Sequence, residues 1–465
     1  MSRRICPPAL FLLFATVFAV PLHAQNDLDL ERLEKVSDSL AHLMISEGVA
    51  PGIAVAVARD GEIMFERGYG LADVENAVAV RPETLFRIGS ITKQFTSSMI
   101  MRLVERGLVD LDAPITQYLP GYPTQGHDVM VRHLLNHTSG IKSYTGLGDD
   151  FWGKAALDMA DQELIDLFDE LPFDFEPGAQ YLYNNSAYYL LGVIIGEVTG
   201  VPYPRYVEDE LVGPLGLHDT YYCDTERILP FRAEGYAYPE GELHNAEYIS
   251  MGAPGAAGAL CSTVRDLVEW TRLLHGGEVV SSASFETMTT PTVLSGGETR
   301  PYGFGLALGG IEGHRSVAHG GGINGFVTYL AHYPDDRLTT VVLTNSGGGD
   351  PGRLEEALAR TALGLPLIVV KNLPLTAEQI ERYAGEYELA MGENTLVLRV
   401  FGEDGMLKAQ ATGQGVTELR FQGEHTFIPD FDDEVRIVFH VEETGRAASL
   451  TLFQGGGEVV GERVR

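Results

Sequence analysis

Two residues three positions apart, Ser90 and Lys93, constrain this sequence more than any other feature. Apolar residues follow Ser90 at the spacing of a helix with one buried face, namely Ile91, Phe95, Met99, Leu103 and Val104. In such a helix Ser90 lies at the start, and Lys93 lies one turn later on the same face. A lysine whose pKa is lowered by burial can remove the proton from a serine hydroxyl. The pair therefore predicts a nucleophilic serine at the start of a buried helix.

A second pair, Ser139 and Lys142, has the same spacing in a different context. Gly140, Gly146 and Gly148 follow Ser139, and no apolar periodicity continues after it. Glycines at this density predict a turn rather than a helix. We interpret the second pair as a coincidence of sequence.

Length and charge limit the partners of the chain. It has 465 residues, of which 45% are hydrophobic, and a formal net charge of −32. This length predicts two or three domains, and this hydrophobic content predicts that they are folded. Because phosphate binding needs clustered Lys and Arg, we expect no nucleic-acid partner and no binding to anionic membranes. The acidic excess predicts a well-solvated surface.

The first 24 residues have the pattern of a secretory signal peptide. Arg3 and Arg4 form a basic start, residues 9–20 are an apolar stretch, and Ala24 is a small residue suited to cleavage. The apolar stretch is too short to span a bilayer. We expect residues 1–24 to be removed and the mature chain to be periplasmic or secreted, with no membrane insertion.

Cys223 and Cys261 would then lie in an oxidising compartment. The sequence leaves two alternatives open, a disulfide between them or two buried free thiols. Neither cysteine has the basic or helix-start context of a nucleophile. No Cys/His spacing indicates structural zinc, and we expect no metal and no cofactor.

Strand patterns occur near both ends of the predicted first domain, residues 27–364, and helical patterns occupy its middle. We predict strands over 53–58, 63–65, 85–88, 302–308, 317–319, 326–333 and 338–343. Helices are expected over 28–48, 129–137, 161–171, 186–198, 204–212, 263–275 and 352–362. The order predicts an α/β (α+β) fold, in which a central antiparallel sheet is flanked by helices and a helical lobe borders a cleft.

The pattern changes after residues 365–375, which have the composition of a linker. Short alternating runs separated by Gly or acidic turns recur over residues 376–465. They predict a small antiparallel β-barrel domain. Its strands are expected over 395–401, 406–411, 416–421, 426–428, 435–441, 448–453 and 459–464.

A tyrosine and an asparagine, Tyr183 and Asn185, follow the turn-forming Pro177 and Gly178 and precede an apolar helix. A tyrosine near a lysine can carry a proton between a nucleophile and a leaving group. An asparagine side chain can hydrogen bond to a substrate amide. Ordinary loop residues are the alternative for this pair taken alone.

A histidine and three glycines, residues 319–322, lie between two predicted strands. Glycines there let a substrate approach the backbone closely, and an exposed N–H can polarise a carbonyl oxygen. His319 is a candidate for holding a substrate carboxylate or for moving protons. The alternative is an ordinary turn.

In this order and spacing, the three motifs resemble those of the β-lactamase and penicillin-binding serine hydrolase superfamily. The resemblance is to the branch with a Tyr-x-Asn motif, which includes class C β-lactamases, DD-peptidases, D-aminopeptidases and esterases. It covers roughly residues 30–360 and includes further segments at 131–140, 255–258, 302–305 and 343–345. Residues 375–379 and 383–387 resemble the lipocalin-like C-terminal domain attached to some of these hydrolases.

The resemblance implies a role for each motif residue. Ser90 would be the acylated nucleophile, Lys93 its general base and Tyr183 the proton relay. The implied substrate-binding residues are Asn185, His319, Gly321 and Gly322. The N–H groups of Ser90 and Gly322 would form the oxyanion hole, because backbone donors at a helix start are unpaired.

His319 departs from the pattern of true β-lactamases, which have a lysine at that place. The resemblance therefore favours hydrolysis of peptides or esters over hydrolysis of antibiotics. We predict a secreted serine hydrolase that acts through a Ser90 acyl-enzyme on a small-molecule or peptide substrate, either an amide containing a D-amino acid or an ester.

Two alternative functions stay open at this point. One is a true β-lactamase, and the other is a non-catalytic protein that binds penicillin-like compounds, cell-wall peptides or an apolar ligand. A small barrel can hold one ligand, which motivates the second alternative. A lysine or tyrosine side chain turned away from Ser90 would favour it.

Three other patterns have ordinary explanations. Residues 320–325 fit Gly-x-Gly-x-x-Gly, but an alternating run follows them instead of the helix that a dinucleotide site needs. His133 and His137 are four residues apart, but no glutamate follows His133 as it does in a metalloprotease, so ordinary core or surface histidines are expected. Asp430 and the acidic residues 432–434 match no calcium loop, and we expect an acidic turn.

Overall fold

The structure is a computed structural model that describes residues 29–368, 370–391, 394–412, 414–431, 435–442, 445–454 and 457–464. These residues form two compact units, one ending at Leu365 and the other beginning at Pro366. The predicted signal peptide and residues 432–434 of the acidic cluster lie outside the described residues. No helix in the described ranges has the length and apolarity needed to cross a membrane.

An antiparallel sheet forms the centre of the first unit. Within the described residues it has seven strands, in the spatial order Ala307–Ile311, His314–Ile323, Phe326–Tyr333, Leu338–Thr344, Gly52–Arg59, Glu62–Asp73 and Val78–Ala79. The two ends of the unit meet where Val55 lies opposite Val342. The predicted sheet assembled from both ends is confirmed.

The strand Gly52–Arg59 is covered on both faces. Its β-branched residues Ile53, Val55 and Val57 pack in a core with helices Leu30–Ser46 and Pro351–Ala362. The intervening alanines at 54, 56 and 58 face the larger core on the other side. Successive side chains of a strand point to opposite faces, so a nearly continuous apolar run fits a strand buried on both sides.

Helices surround the sheet and form a lobe beside it. In the described part of the first unit they are Leu30–Ser46, Thr92–Glu105, Val131–Leu135, Asp149–Trp152, Asp161–Ile165, Asn185–Thr199, Tyr203–Val207, Gly255–Gly258, Val264–His275, Ser282–Met288 and Pro351–Ala362. Short 3₁₀ turns occur at Gly89–Ile91, Ile115–Gln117, Tyr144–Gly146 and Pro239–Gly241, and a π turn occurs at Glu208–Val212.

Small sheets complete the first unit. The strand Leu260–Ser262 pairs with Phe86–Arg87 and with Tyr221–Tyr222. Two-stranded pairs are formed by Tyr236–Ala237 with His244–Asn245, and by Thr292–Val293 with Thr299–Arg300.

Several predicted elements are shorter in the structure. The helix expected over 161–171 ends at Ile165. The helix expected over 129–137 ends at Leu135, and His137 has a φ of 61°, which a right-handed helix cannot contain. The strand expected over 302–308 begins only at Ala307, because Gly305 has a φ of 70° and bends the chain there.

The second unit is a closed antiparallel barrel that follows the helix Ala377–Tyr383. Its eight strands within the described ranges are Gly385–Met391, Asn394–Glu403, Met406–Ala411, Val416–Gly423, Thr426–Pro429, Arg436–Val441, Ala447–Gln454 and Gly457–Arg463. The sequence pattern identifies seven of them. The eighth, Gly385–Met391, closes the barrel by pairing with Asn394–Glu403 and Gly457–Arg463.

Aromatic side chains fill the barrel interior. Tyr383, Tyr387, Phe427 and Phe439 are each at most 2% exposed. The ring centroids of Phe427 and Phe439 are 5.4 Å apart, and Tyr383 lies 4.9 Å from Phe427. This packing stabilises the barrel, and it gives no support to the alternative in which the barrel holds an apolar ligand.

We expect Phe427→Ala to lower the free energy of unfolding of the barrel by about 3–5 kcal/mol, because it leaves a cavity among aromatic rings. The half-exposed Val416 provides a matched control, and Val416→Ala should change stability by no more than about 0.5 kcal/mol.

The measurement is urea unfolding followed by two signals. Both tryptophans, Trp152 and Trp270, lie in the first unit, so their fluorescence follows that unit, whereas far-UV circular dichroism follows both. Unchanged far-UV unfolding of Phe427→Ala would contradict the role given to the aromatic core.

Candidate active site

Ser90 lies in the 3₁₀ turn Gly89–Ile91, directly before the helix Thr92–Glu105. Gly89 has a φ of 49°, which favours glycine. A Cβ at Gly89 would lie 2.7 Å from the backbone nitrogen of Gly322. The glycine before Ser90 therefore lets the turn approach the strand that carries Gly322.

The strand His314–Ile323 is anchored to this turn. The Thr328 hydroxyl, on the neighbouring strand, donates to the carbonyl of Ile88 at 3.1 Å. A Cβ at Gly321 would lie 2.0 Å from that carbonyl oxygen and 2.3 Å from Thr328 Oγ1. Gly321 is thus needed for close packing, and its contact with substrate stays a prediction.

Lys93 is fully buried, and its Nζ has three close neighbours. Nζ lies 3.0 Å from Ser90 Oγ, 2.9 Å from Asn185 Oδ1 and 2.8 Å from the carbonyl oxygen of Ala257. Burial lowers the pKa of Lys93 well below its ordinary value, because the charged form loses its hydration.

The neighbours of Lys93 suit a neutral amine. Such an amine has two N–H groups, and the oxygens of Asn185 and Ala257 can only accept hydrogen bonds. When both N–H groups are taken by these oxygens, the nitrogen lone pair faces the Ser90 hydroxyl. This is the arrangement that a general base needs.

Tyr183 and Asn185 flank the start of the helix Asn185–Thr199. Asn184 caps this helix, because its side chain accepts a hydrogen bond from the N–H of Ala187 at 2.9 Å. Tyr183 therefore ends the preceding loop and Asn185 begins the first turn. The sequence pattern of a loop followed by an apolar helix predicts this placement.

The Tyr183 ring lies beside the lysine, with its centroid 4.7 Å from Lys93 Nζ. Its hydroxyl is buried without a well-formed hydrogen bond among the described residues. Burial raises the pKa of Tyr183, and the nearby Ser90 hydroxyl offsets only part of this effect. A phenol that stays neutral suits a proton relay rather than a resident base.

Asn185 is held at both ends of its amide. Its Oδ1 accepts from Lys93, and its Nδ2 donates to Thr145 Oγ1 at 3.1 Å. Its backbone N–H donates to Ser143 Oγ at 3.2 Å. The sequence patterns do not identify Ser143 or Thr145, because these residues lie 40 or more positions before Asn185 and no local spacing links them to it.

His319 is 6% exposed, and both its ring nitrogens have partners within the protein. Nδ1 lies 2.6 Å from the carbonyl oxygen of Gly320, and Nε2 lies 2.9 Å from the Tyr302 hydroxyl. Burial is the main cause that lowers the pKa of His319 to about 4. The predicted contact of His319 with a substrate carboxylate stays a prediction, and a neutral, fully bonded ring does not favour it.

A cleft opens in front of Ser90. Its walls combine aromatic, aliphatic and amide groups, and no described side chain that lines it is charged. The lining residues are Ser90, Tyr144, Thr145, Phe151, Trp152, Asn185, Ile249, Pro254, Ala257, Gly258, Gly322, Ile323 and Asn324.

The other sequence patterns have structural roles. Lys142 of the second Ser-x-x-Lys pair forms an ion pair with Asp174 and lies outside any helix. Residues 320–322 lie in a strand, and the strand Phe326–Tyr333 follows them, so the dinucleotide interpretation is excluded. Cys223 and Cys261 are buried free thiols.

Comparison with known proteins agrees with this geometry. The beta-lactamase family model matches residues 36–364. The chain belongs to the beta-lactamase family. It is 30% identical to penicillin-binding protein 4* of Bacillus subtilis over 432 residues, which cover 87% of this chain and 93% of that protein.

One further curated protein and one solved structure are also similar to this chain. A D-aminopeptidase of Brucella ovis is 28% identical over 448 residues, covering 89% of this chain and 80% of that protein. The crystal structure of D-amino acid amidase from Ochrobactrum anthropi SV3 with L-phenylalanine amide matches with a TM-score of 0.63 at 27% identity, over 71% of this chain and 99% of that one. The chain is thus a serine hydrolase of this family, and the predicted family and enzyme class are confirmed.

We expect the rate at which a fluorophosphonate labels Ser90 to rise with pH and to become constant above an apparent pKa. This apparent pKa should lie well below 10.5, the ordinary value for lysine. Only the neutral amine of Lys93 can take the serine proton. The base is therefore lost as the pH falls through its lowered pKa and is restored as the pH rises through it.

Two lysine variants sharpen this measurement. Lys93→Met should slow labelling by about 10²–10⁴-fold, whereas Lys142→Met, in the other Ser-x-x-Lys pair, should label like the wild type. An apparent pKa at the ordinary value for lysine, or equal rates for the two variants, would contradict the assignment of the base.

We expect Gly321→Ala to lower kcat/KM by about 10²-fold or more, because the new methyl group pushes the strand away from the Ser90 turn. Gly309→Ala is a control in the adjacent strand Ala307–Ile311, where a Cβ would be 3.4 Å from Ser316 Oγ. Steady-state kinetics of both variants provide the test, and wild-type activity of Gly321→Ala would refute the packing argument.

Proposed function

We propose that this protein is an exported amide hydrolase that acts on small amides or peptides containing a D-amino acid, with esters as a second substrate class. The observation that carries the proposal is the buried Lys93 amine, which contacts both Ser90 and Asn185. The Lys93 and Tyr183 side chains lie beside Ser90, as a catalytic site requires and a purely binding site does not.

In the proposed acylation step, Ser90 Oγ attacks the substrate carbonyl carbon while its proton passes to Lys93 Nζ over the 3.0 Å contact. The carbonyl oxygen becomes negatively charged. The N–H groups of Ser90 and Gly322 are the proposed donors to this oxygen.

The leaving group then needs a proton. The Tyr183 hydroxyl gives its proton to the leaving nitrogen or oxygen and takes one from Lys93, so neither residue changes its resting state. The bond to the leaving group breaks, and an ester on Ser90 remains. A water molecule then attacks this ester, releases the acid and returns the proton to Ser90.

Three observations support the proposed substrate class. The cleft lining includes Tyr144, Phe151 and Trp152, whose aromatic rings suit an apolar side chain on the substrate. Histidine occupies position 319 of this chain, at the place in the third motif where true β-lactamases have a lysine. The names of the related D-aminopeptidase and D-amino acid amidase specify D-amino acid substrates.

Export of the mature chain is part of the proposal. It is supported by the basic and apolar pattern of residues 1–24 and by the small residue Ala24. N-terminal sequencing of protein collected from the periplasm or medium should start after Ala24.

The test of substrate class is a panel measured on one preparation. It contains D- and L-phenylalanine amide, a D-Ala-D-Ala peptide, p-nitrophenyl acetate and nitrocefin. We expect the D-amide to have a kcat/KM at least about 10-fold above the L-amide. This activity should be lost in Ser90→Ala and kept in Ser139→Ala, the same change in the second Ser-x-x-Lys pair.

Two outcomes would overturn the proposal. Nitrocefin as the best substrate would make the protein a β-lactamase. Equal turnover by wild type and Ser90→Ala would show that the reaction does not use Ser90.

A further inference from the structure

Three buried rings, those of His137, Tyr302 and His319, connect two parts of the site. One is the loop that ends at Tyr183 (the Tyr183 loop), and the other is the strand His314–Ile323, which carries the three glycines (the glycine strand). The exposed fractions of the three ring-bearing residues are 0%, 6% and 6%. The sequence patterns leave His137 as an ordinary core or surface histidine, and His137 and Tyr302 each lie in a segment shared with the family. The structure places both rings in direct contact with the catalytic machinery.

Four hydrogen bonds join these rings in one line. The backbone N–H of Asn184 donates to His137 Nδ1 at 3.1 Å, and His137 Nε2 lies 3.2 Å from the Tyr302 hydroxyl. The same hydroxyl lies 2.9 Å from His319 Nε2, and His319 Nδ1 lies 2.6 Å from the carbonyl oxygen of Gly320.

The two ends of the line decide where every proton lies. The Asn184 N–H can only donate, so His137 Nδ1 carries no proton, and a neutral His137 is protonated at Nε2. The Gly320 carbonyl can only accept, so His319 Nδ1 carries the proton and its Nε2 accepts. Tyr302 then accepts from His137 and donates to His319, and all four bonds point in the same direction.

We propose that His137, Tyr302 and His319 form a polarised hydrogen-bond chain that holds the Tyr183 loop at a fixed distance from the glycine strand. Tyr302 is the central positioning residue, because its single hydroxyl joins both histidines. One end of the hydrogen-bond chain is the N–H of Asn184, between Tyr183 and Asn185. The other end is the carbonyl of Gly320, two residues before Gly322. The chain therefore fixes the proton relay relative to the proposed oxyanion donor.

A ring contact extends the positioning role to Tyr183. The centroids of the His137 and Tyr183 rings are 4.2 Å apart, so the orientation of His137 limits that of the phenol. The Tyr183 hydroxyl has no well-formed hydrogen bond of its own among the described residues. Packing against a ring that is itself held by the hydrogen-bond chain thus restrains the orientation of Tyr183.

The hydrogen-bond chain also changes the role expected for His319. Its Nε2 accepts from Tyr302 and its Nδ1 donates to Gly320, so neither nitrogen is free to contact a substrate. In this proposal His319 is a positioning residue, and a substrate carboxylate gains no partner from it.

The first test is the tautomer of each histidine in the wild-type enzyme at neutral pH, read by long-range ¹H–¹⁵N NMR on ¹⁵N-histidine-labelled protein. We expect His137 to be protonated at Nε2 and His319 at Nδ1. This measurement needs no substrate, so it is independent of the proposed D-amino acid specificity. The opposite tautomer of either histidine, or a doubly protonated ring, would overturn the proposal.

The second test removes one oxygen atom. Tyr302→Phe keeps the ring but breaks both central hydrogen bonds, and we expect kcat to fall about 10-fold or more with a smaller change in KM. The ¹⁵N shifts of His137 Nε2 and His319 Nε2 should then change, because both nitrogens lose their partner, while the proton on His319 Nδ1 stays in its bond to Gly320. The activity is measured on the best substrate of the wild type.

Tyr181→Phe is the matched control. Its ring lies in the same cluster, with its centroid 5.7 Å from that of Tyr302, but it is not part of the chain. We expect wild-type kcat and unchanged ¹⁵N shifts of both histidines in this variant. Equal kinetics and equal histidine spectra for the two Tyr→Phe variants would refute the chain, and if Tyr302→Phe fails to fold, the wild-type tautomers still decide.

Discussion

The burial of one amine, Lys93 Nζ, is the constraint on which the rest of the site depends. An ammonium without water is costly, and the folded chain offers it no carboxylate among its three neighbours, only two carbonyl oxygens and a hydroxyl. The neutral form is therefore favoured. A neutral amine next to a serine can act as a base. The burial that disfavours the charged form of Lys93 therefore also enables the amine to deprotonate Ser90.

The fold keeps this amine dry by bringing distant segments together at backbone contact distance. Ala257, Asn185 and Ser90 surround Lys93 and come from three separate segments of the chain. Glycines make the closest approaches: a Cβ at Gly305 would lie 2.6 Å from the carbonyl oxygen of Lys93 itself. The glycines near the site thus allow backbone segments to pack closely, and their positions in the sequence correspond to contacts with the Ser90 turn and the helix that follows it.

Much of this arrangement could be predicted from the sequence because it depends on local patterns. The helix after Ser90, the apolar helix after Tyr183 and the alternating strands each follow from the periodicity of apolar residues. The two Ser-x-x-Lys pairs could be separated in the same way, since only one begins an apolar helix. The change of pattern after residue 365 predicts the barrel, whereas the short alternation of the strand Gly385–Met391 directly follows the helix Ala377–Tyr383 and does not stand out from it.

The positioning residues could not be predicted, because their partners are distant in sequence. Thr145 contacts Asn185, and Tyr302 contacts both His137 and His319; none of these pairs has a spacing that a local pattern could reveal. His137 has an unusual positive φ for a histidine, which no sequence rule specifies. Segments shared with the family contain His137 and Tyr302, but only their hydrogen bonds show what they do.

The most direct test of the account is the pKa of Lys93 itself in the folded enzyme. The chain has six lysines, so ¹³C-lysine labelling should give six Cε signals whose shifts can be followed with pH, and the spectrum of Lys93→Met identifies the signal of interest. The account predicts that this signal titrates well below the other five. A Lys93 signal that titrates together with the surface lysines would show that the amine is charged at neutral pH and would contradict its role as the base.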